Sequence, residues 1–162
     1  VAPDGAIAGN DNDADPAAYE PHYEEVTAED QVQIYEPILE SVSGEVTTGL
    51  LQAMGYRKDN RLLPSGFDKS SAGEDIGVYG GAAEDGDFDD GGDTIRYRVD
   101  LAEAAGELTV TVELLYQSVG YRWAENLRRH EDAAEVGRFL DRYDALPNQP
   151  VTVAKSTITV EP

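Results

Sequence analysis

The chain has 162 residues, a length that suits one domain or one domain with tails. Its 33 acidic and 12 basic residues give a formal net charge of −21. Nucleic acids and anionic membrane surfaces are polyanions that basic groups must neutralise, so this charge argues against both as partners. Hydrophobic residues make up 40% of the chain and gather in alternating runs, which makes a packed core feasible.

The sequence contains no cysteine. This excludes disulfides, thiol nucleophiles, zinc–thiolate sites and covalent haem attachment through a Cys-x-x-Cys-His motif. No apolar run approaches the roughly 18 residues that span a bilayer, and the first residues lack the features of a signal peptide. Because the chain starts at Val1, we expect a processed piece or the tail of a longer polypeptide.

Lysine is scarce, with three lysines against nine arginines and seventeen aspartates. Strong acidity with few lysines is typical of halophilic proteins, which work in high salt where self-repulsion is screened. The alternative interpretation is a secreted protein of low pI.

The chain predicts a loop segment followed by a β-rich domain. Residues 1–30 are acidic and rich in turn formers, and Pro16 and Pro21 interrupt any regular element there. Residues 31–162 show the alternating pattern of strands. We therefore predict an acidic N-terminal loop segment over 1–30 and a β-sandwich domain over 31–162.

Three strands are predicted before residue 93. The first covers residues 31–39, with Pro37 at a sheet edge or a bulge. A weaker one covers residues 46–56, where two glycines dilute the pattern and a helix over 48–54 is the alternative, and a short one covers residues 76–79.

Residues 94–101 and 107–116 predict an antiparallel hairpin, because two alternating runs flank a short Ala-Ala-Gly turn. The period then becomes helical, and one helix is predicted near residues 122–145. Residues 151–160 predict a last strand. Strand runs with one late helix favour a mainly β fold, an antiparallel immunoglobulin-like β-sandwich with a helical connection.

Two loops place aspartates at every second position. Carboxylates with this spacing can converge on Ca²⁺, which takes six to eight oxygen ligands. The EF-hand signature is not met, since each loop lacks the glycine after its third aspartate and the glutamate at its twelfth position. A solvated acidic loop is the alternative for each. The predicted calcium ligands are Asp11, Asp13 and Asp15 in the first loop and Asp85, Asp87 and Asp89 in the second.

His22 lies among aromatic and acidic residues and is a candidate ligand for a metal, including a haem iron. The alternative is a packed loop histidine hydrogen-bonded to a neighbouring carboxylate. His130 is expected on the polar side of the helix. No serine occurs in a Gly-x-Ser-x-Gly elbow, and no glycine-rich phosphate loop follows a strand, so we expect no enzyme activity.

Residues 58–67 read Lys-Asp-Asn-Arg-Leu-Leu-Pro-Ser-Gly-Phe. The cluster of cations in an acidic chain is interpreted as a device that fixes a long loop against the sheet. The segment also resembles a phrase in the C-terminal, haem-free β-sandwich domain of periplasmic multihaem c-type cytochromes. The resemblance extends over residues 4–160, and further phrases agree in order at 9–16, 19–23, 31–36, 114–117 and 120–123.

This resemblance implies a non-catalytic accessory or interaction domain of an electron-transfer protein, whose partner is a haem-bearing segment or subunit. The Cys-x-x-Cys-His motifs of that family are absent, so this chain carries no covalent haem. Two alternatives stay open: an electron-transfer partner subunit, and a carbohydrate-binding module. The second would use the aromatic residues Tyr19, Tyr23, Tyr79 and Trp123.

Overall fold

A computed structural model describes residues 15, 17–101, 106–146 and 150–161. The chain divides into two compact units between Arg98 and Val99, here called the N-terminal and C-terminal units. More of the described chain lies in strands than in helices, which confirms the β-rich class. The strands form three small sheets, two antiparallel and one parallel. The boundary predicted near residue 30 lies within the N-terminal unit and stays a prediction.

The N-terminal unit contains a three-stranded antiparallel sheet. Its central strand β2 (Pro37–Ser41) pairs with β3 (Val46–Thr47) on one side and with β4 (Ala53–Asp59) on the other. The predicted first strand thus starts only at Pro37. The carbonyl of Ile34 instead accepts hydrogen bonds from two side chains, at 2.9 Å each, so this stretch is held by side chains rather than by a ladder.

A second sheet in this unit joins distant parts of the chain. Strand β1 (Glu25–Val26) pairs in parallel with β5 (Arg96–Tyr97), and Arg98 forms an ion pair of 2.7 Å with Glu25. The predicted hairpin of 94–101 with 107–116 is therefore wrong, because the first of these runs pairs with β1. A short helix, α1 (Gly81–Glu84), precedes the acidic loop 85–93.

The interior of the N-terminal unit is as polar as it is apolar. Buried polar groups must be hydrogen-bonded, since an unpaired polar group inside a protein has a large desolvation cost. Hydrogen bonds therefore carry much of the specificity of this unit. Its buried residues are Val26, Ile38, Leu39, Ala82 and Phe88, together with Glu20, Lys58, Asp59, Asn60 and Asp85.

The C-terminal unit contains an antiparallel ribbon of two strands, β6 (Leu108–Tyr116) and β7 (Val151–Val160). Leu108 lies opposite Val160, and the register shifts once between Leu114 and Leu115. Both strands were predicted at these positions. The partner of β6 differs from the prediction, since the chain returns to it from beyond the helices.

The predicted single helix is two helices, α2 (Tyr121–Arg128) and α3 (Ala134–Ala145). The chain turns between them, where the N–H of His130 donates to the carbonyl of Leu127 at 2.8 Å. The turn brings Arg128 to Asp144, at 2.6 Å, while Arg128 also pairs with Glu125 on its own helix. These carboxylates raise the pKa of the Arg128 guanidinium further. None of the helices described here is long and apolar enough to cross a membrane.

Candidate functional site

Three loops of the N-terminal unit converge on a cluster of His22, Asp85 and Asp93. One ring nitrogen and one oxygen of each carboxylate all lie within 4.8 Å of one another. His22 precedes β1, Asp85 follows α1 directly, and Asp93 precedes β5. The side chains of His22 and Asp85 are 1% and 4% exposed, so the pair is enclosed by protein.

Both ring nitrogens of His22 have partners. Nε2 lies 3.1 Å from Oδ2 of Asp85. Nδ1 lies 2.8 Å from the amide nitrogen of Gln33 and 3.1 Å from that of Asn60. The histidine therefore connects a carboxylate on one side with two amide groups on the other.

The orientation of the two amides follows from their other contacts. The carboxamide oxygen of Gln33 accepts the N–H of Tyr23 at 2.8 Å, and that of Asn60 accepts the N–H of Glu36 at 2.9 Å. Each amide thus turns its NH₂ group toward His22 Nδ1. A neutral imidazole has one donor and one acceptor nitrogen. Nδ1 therefore accepts hydrogen bonds from the two amides, and the Nε2–H donates a hydrogen bond to Asp85.

This tautomer bears on metal binding. A metal on Nε2 needs the lone pair of that nitrogen, and the ring proton then moves to Nδ1, where ligating histidines usually meet an acceptor. In this structure Nδ1 faces two N–H donors. One histidine and two carboxylates are side chains that can bind a metal cation. The groups around His22, however, are those expected around a histidine that only makes hydrogen bonds. A haem iron would likewise have to displace a partner of the ring.

The carboxylate of Asp85 is held in its charged form. Burial by itself raises its pKa, but hydrogen bonds from the Asp87 N–H, at 3.0 Å, and from His22 oppose this, with the charge of Lys69 nearby. The net effect lowers the pKa of Asp85 below 3.8. Asp85 is therefore an ion inside the protein that internal donors stabilise.

Asp93 is held by Tyr35, whose hydroxyl donates to Oδ2 at 2.5 Å. Burial, together with this hydrogen bond, raises the pKa of the Tyr35 phenol above its ordinary value of 10.0. The other oxygen, Oδ1, is buried and has no hydrogen-bond partner among the described residues. It is an open acceptor beside the His22–Asp85 pair.

Phe88 forms the apolar floor of the cluster. Its ring is 1% exposed, meets the edge of the His22 ring at 5.0 Å and stacks with Tyr35 at 6.4 Å between centroids. The ammonium of Lys69 lies 6.0 Å from the Phe88 ring centre and donates to the carbonyls of Ala82, at 2.9 Å, and of Asp85. A lysine of the same chain thus places a positive charge beside this acidic loop.

The second predicted calcium loop is used for backbone contacts. Asp87 accepts the N–H of Thr94 at 3.1 Å, and Asp89 accepts that of Lys69 at 3.0 Å. Asp85 is the member of the predicted trio that joins the His22 cluster, whereas Asp87 and Asp89 do not. The alternating aspartates tie neighbouring loops together, which is the ordinary use of aspartate in turns.

The first predicted calcium loop lies mostly outside the described residues, which include Asp15 but neither Asp11 nor Asp13. Asp15 is exposed, and its Oδ1 accepts the N–H of Ala17 at 2.8 Å. Calcium binding by this loop stays a prediction.

Side chains within residues 58–67 hold neighbouring loops in place, as predicted for this segment. The buried ammonium of Lys58 donates to the carbonyls of Glu20, at 2.7 Å, and of Ile34. The backbone of Asp59 pairs with that of Tyr79, and its carboxylate receives two guanidinium bonds, of 2.9 and 2.6 Å, from Arg61. These contacts confirm the loop-fixing interpretation of the cations.

Four further residues of the cluster were not predicted from the sequence: Gln33, Tyr35, Asn60 and Asp93. Asn60 lies within the phrase that carries the resemblance, which was the one available signal for it. Gln33 and Tyr35 lie within the phrase at 31–36, in a predicted strand, and Asp93 lies in a stretch predicted as a loop. The aromatics considered for sugar binding, Tyr19, Tyr23, Tyr79 and Trp123, are all partly covered rather than exposed.

A groove of about 290 Å³ opens beside the ion pair of Arg61 and Asp59, walled by Leu62, Leu63 and Phe67 among others. Both guanidinium contacts of Arg61 there are made to Asp59, and polar and apolar groups line the groove in about equal measure. No family model, curated protein or solved structure matches the chain.

Proposed function

We propose that this chain is a non-catalytic accessory domain of a periplasmic or extracellular, multihaem-cytochrome-like electron-transfer protein, which associates with a haem-bearing segment or subunit. The observation that carries the non-catalytic part is the state of the His22–Asp85 pair. A general base must reach the proton of a substrate. Here the two side chains are 1% and 4% exposed, and both ring nitrogens are engaged.

The remaining charged groups of this unit support the same proposal. The ammoniums of Lys58 and Lys69 are bound by backbone carbonyls, and Asp87 and Asp89 accept backbone N–H groups. Side chains used in this way hold loops in place. The haem-bearing partner is proposed from the resemblance of residues 58–67.

Three finer features belong to the proposal. They are an immunoglobulin-like arrangement of the sheets, a structural Ca²⁺ at Asp11, Asp13 and Asp15, and an acidic surface suited to high salt. Calcium at the first loop would neutralise repelling carboxylates and order the N-terminal segment, since folding and metal binding are coupled. Asp15, the one of these three residues that the structure describes, is exposed.

The experiment is sedimentation velocity of the purified chain mixed with a purified multihaem c-type cytochrome from the same source, followed at a haem absorption band. We expect the haem boundary to move faster in the presence of the chain and to do so in moderate salt. An unrelated protein of similar net charge is the control for non-specific attraction. An unchanged haem boundary contradicts the proposed partner, and retention of the chain on a polysaccharide gel would favour the carbohydrate-binding alternative.

A further inference from the structure

The β6–β7 ribbon has one polar and one apolar face. Residues directly opposite each other in an antiparallel pair share a face, and faces alternate along each strand. The polar face pairs Thr109 with Thr159, Thr111 with Thr157 and Glu113 with Lys155. The other face is apolar except for one serine, and its pairs are Leu108–Val160, Val110–Ile158, Val112–Ser156 and Leu114–Ala154.

Charge is nearly absent from this ribbon. The nine residues of β6 and the ten residues of β7 carry one charge each, in a chain of which 28% is charged. These two charges, Glu113 and Lys155, bind each other at 2.7 Å on the polar face. The apolar face is therefore free of charge, although exposed strands usually carry charges that prevent pairing with other proteins.

The apolar face is also open to solvent. Val110, Val112, Leu114 and Ile158 are 42%, 51%, 39% and 57% exposed. A ribbon of two strands is marginally stable in water unless further strands or a covering layer bury its apolar face. The ribbon thus has the composition of a buried surface but lies exposed in the single chain.

We propose that this face binds the same face of a second copy of the chain, so that two ribbons form a two-layer, four-stranded packing. A basic partner would gain no direct attraction at this face, because none of its side chains carries a charge. A second ribbon offers an uncharged apolar face of the same length and twist. In a two-fold arrangement both Glu113–Lys155 pairs point outward. The two copies then form a closed dimer to which no third copy adds at this face.

The size of the face predicts a weak dimer. A strand of nine residues is about 30 Å long and a two-stranded ribbon is about 10 Å wide, so each copy contributes about 300 Å². Stable complexes bury about 1,200–2,000 Å² in total. Two copies of net charge −21 also repel each other, and salt screens this repulsion. The dimer should therefore form at high micromolar concentration and strengthen as salt increases.

The experiment is sedimentation equilibrium of the full chain at high micromolar concentration, in low and in molar NaCl. We expect a mass that approaches twice that of the chain in high salt, the mass of the monomer for Val112→Glu, and a dimer for Thr111→Glu. The two variants add the same charge to the same strand, on the apolar and on the polar face. A monomeric wild type in high salt, or equal loss of the dimer in both variants, overturns the proposal.

If Val112→Glu unfolds the ribbon, loss of the dimer says nothing about the contact, so a second measurement tests the contact by crosslinking. The chain has no cysteine, so single cysteines at Val112 or at Thr111 can be joined by a short thiol-specific crosslinker without background. We expect a covalent dimer from Val112→Cys and far less from Thr111→Cys, with unchanged far-ultraviolet circular dichroism in both. Equal yields from the two positions would contradict a face-to-face contact.

Discussion

The Nε2–H of His22 donates a hydrogen bond of 3.1 Å to Asp85, because the amide groups of Gln33 and Asn60 donate hydrogen bonds to the other ring nitrogen, Nδ1. The two residues lie 63 positions apart in the sequence. This contact joins the loop before β1 to the loop after α1. A histidine so placed acts as a fixed connector between loops of the N-terminal unit.

Removing the connector should destabilise the protein. His22→Ala leaves Asp85, Gln33 and Asn60 with unmade hydrogen bonds inside the protein, which costs about 2–4 kcal/mol. The measurement is the free energy of unfolding in urea. His130→Ala, at an exposed histidine, is the control and should change it by less than about 0.5 kcal/mol. Equal effects of the two substitutions would show that the ring contacts contribute nothing.

Stability should also depend on pH through Asp85. The pKa of this carboxyl is lowered below 3.8 in the folded protein, so the folded state holds that proton less tightly than the unfolded state. Its stabilising effect is present above pH 3.8 and is lost as the pH falls through the folded pKa. We expect Asp85→Asn to flatten the decline of unfolding free energy below that pH. A decline as steep as that of the wild type contradicts this role.

Calcium should distinguish the two aspartate loops. If the first loop binds Ca²⁺, millimolar CaCl₂ raises the Tm above that in EDTA at fixed ionic strength, and Asp13→Ala abolishes the rise. Asp89→Ala should lower the Tm equally in both solutions, because its carboxylate holds the N–H of Lys69. Thermal scans of both variants make the comparison. An equal rise with NaCl would leave screening as the whole effect.

Lys69 should contribute more to stability than Lys155. The ammonium of Lys69 binds two backbone carbonyls beside Phe88, and Lys69→Met leaves those acceptors without a donor, at a cost of about 1–3 kcal/mol. Lys155 is 56% exposed in its pair with Glu113, and exposed pairs contribute about 0–1 kcal/mol. Urea unfolding of Lys69→Met and Lys155→Met tests the ranking, and the reverse order would contradict it.

Local patterns predicted the elements better than their partners. The period-two pattern of 107–116 and 151–160 located both strands of the ribbon, since alternation is a property of neighbouring residues. Their pairing was missed because it depends on how the chain returns after two helices. The helix near 122–145 was found, but not its break after Arg128, where the turn is stabilised by an ion pair with Asp144.

In the His22 cluster, candidate residues could be identified by their type, but their contacts with one another could not be predicted from the sequence. His22 and Asp85 were identified from residue type, and a hydrogen bond from His22 to a carboxylate was one of the two interpretations considered. Gln33 and Asn60 decide which nitrogen carries the proton, yet a neutral amide has no charge or ligand pattern that would indicate this role in the sequence. Only the folded arrangement of four separate loops shows their role.

The three lysines have a practical consequence for chemical labelling. Acylating reagents require a free amine, and the ammoniums of Lys58 and Lys69 are bound to carbonyl groups within the protein. Lys155, on the polar face of the ribbon, is the exposed one of the three. An amine-reactive fluorophore should therefore modify Lys155 and the α-amino group in the native state, and modify Lys58 and Lys69 far more slowly.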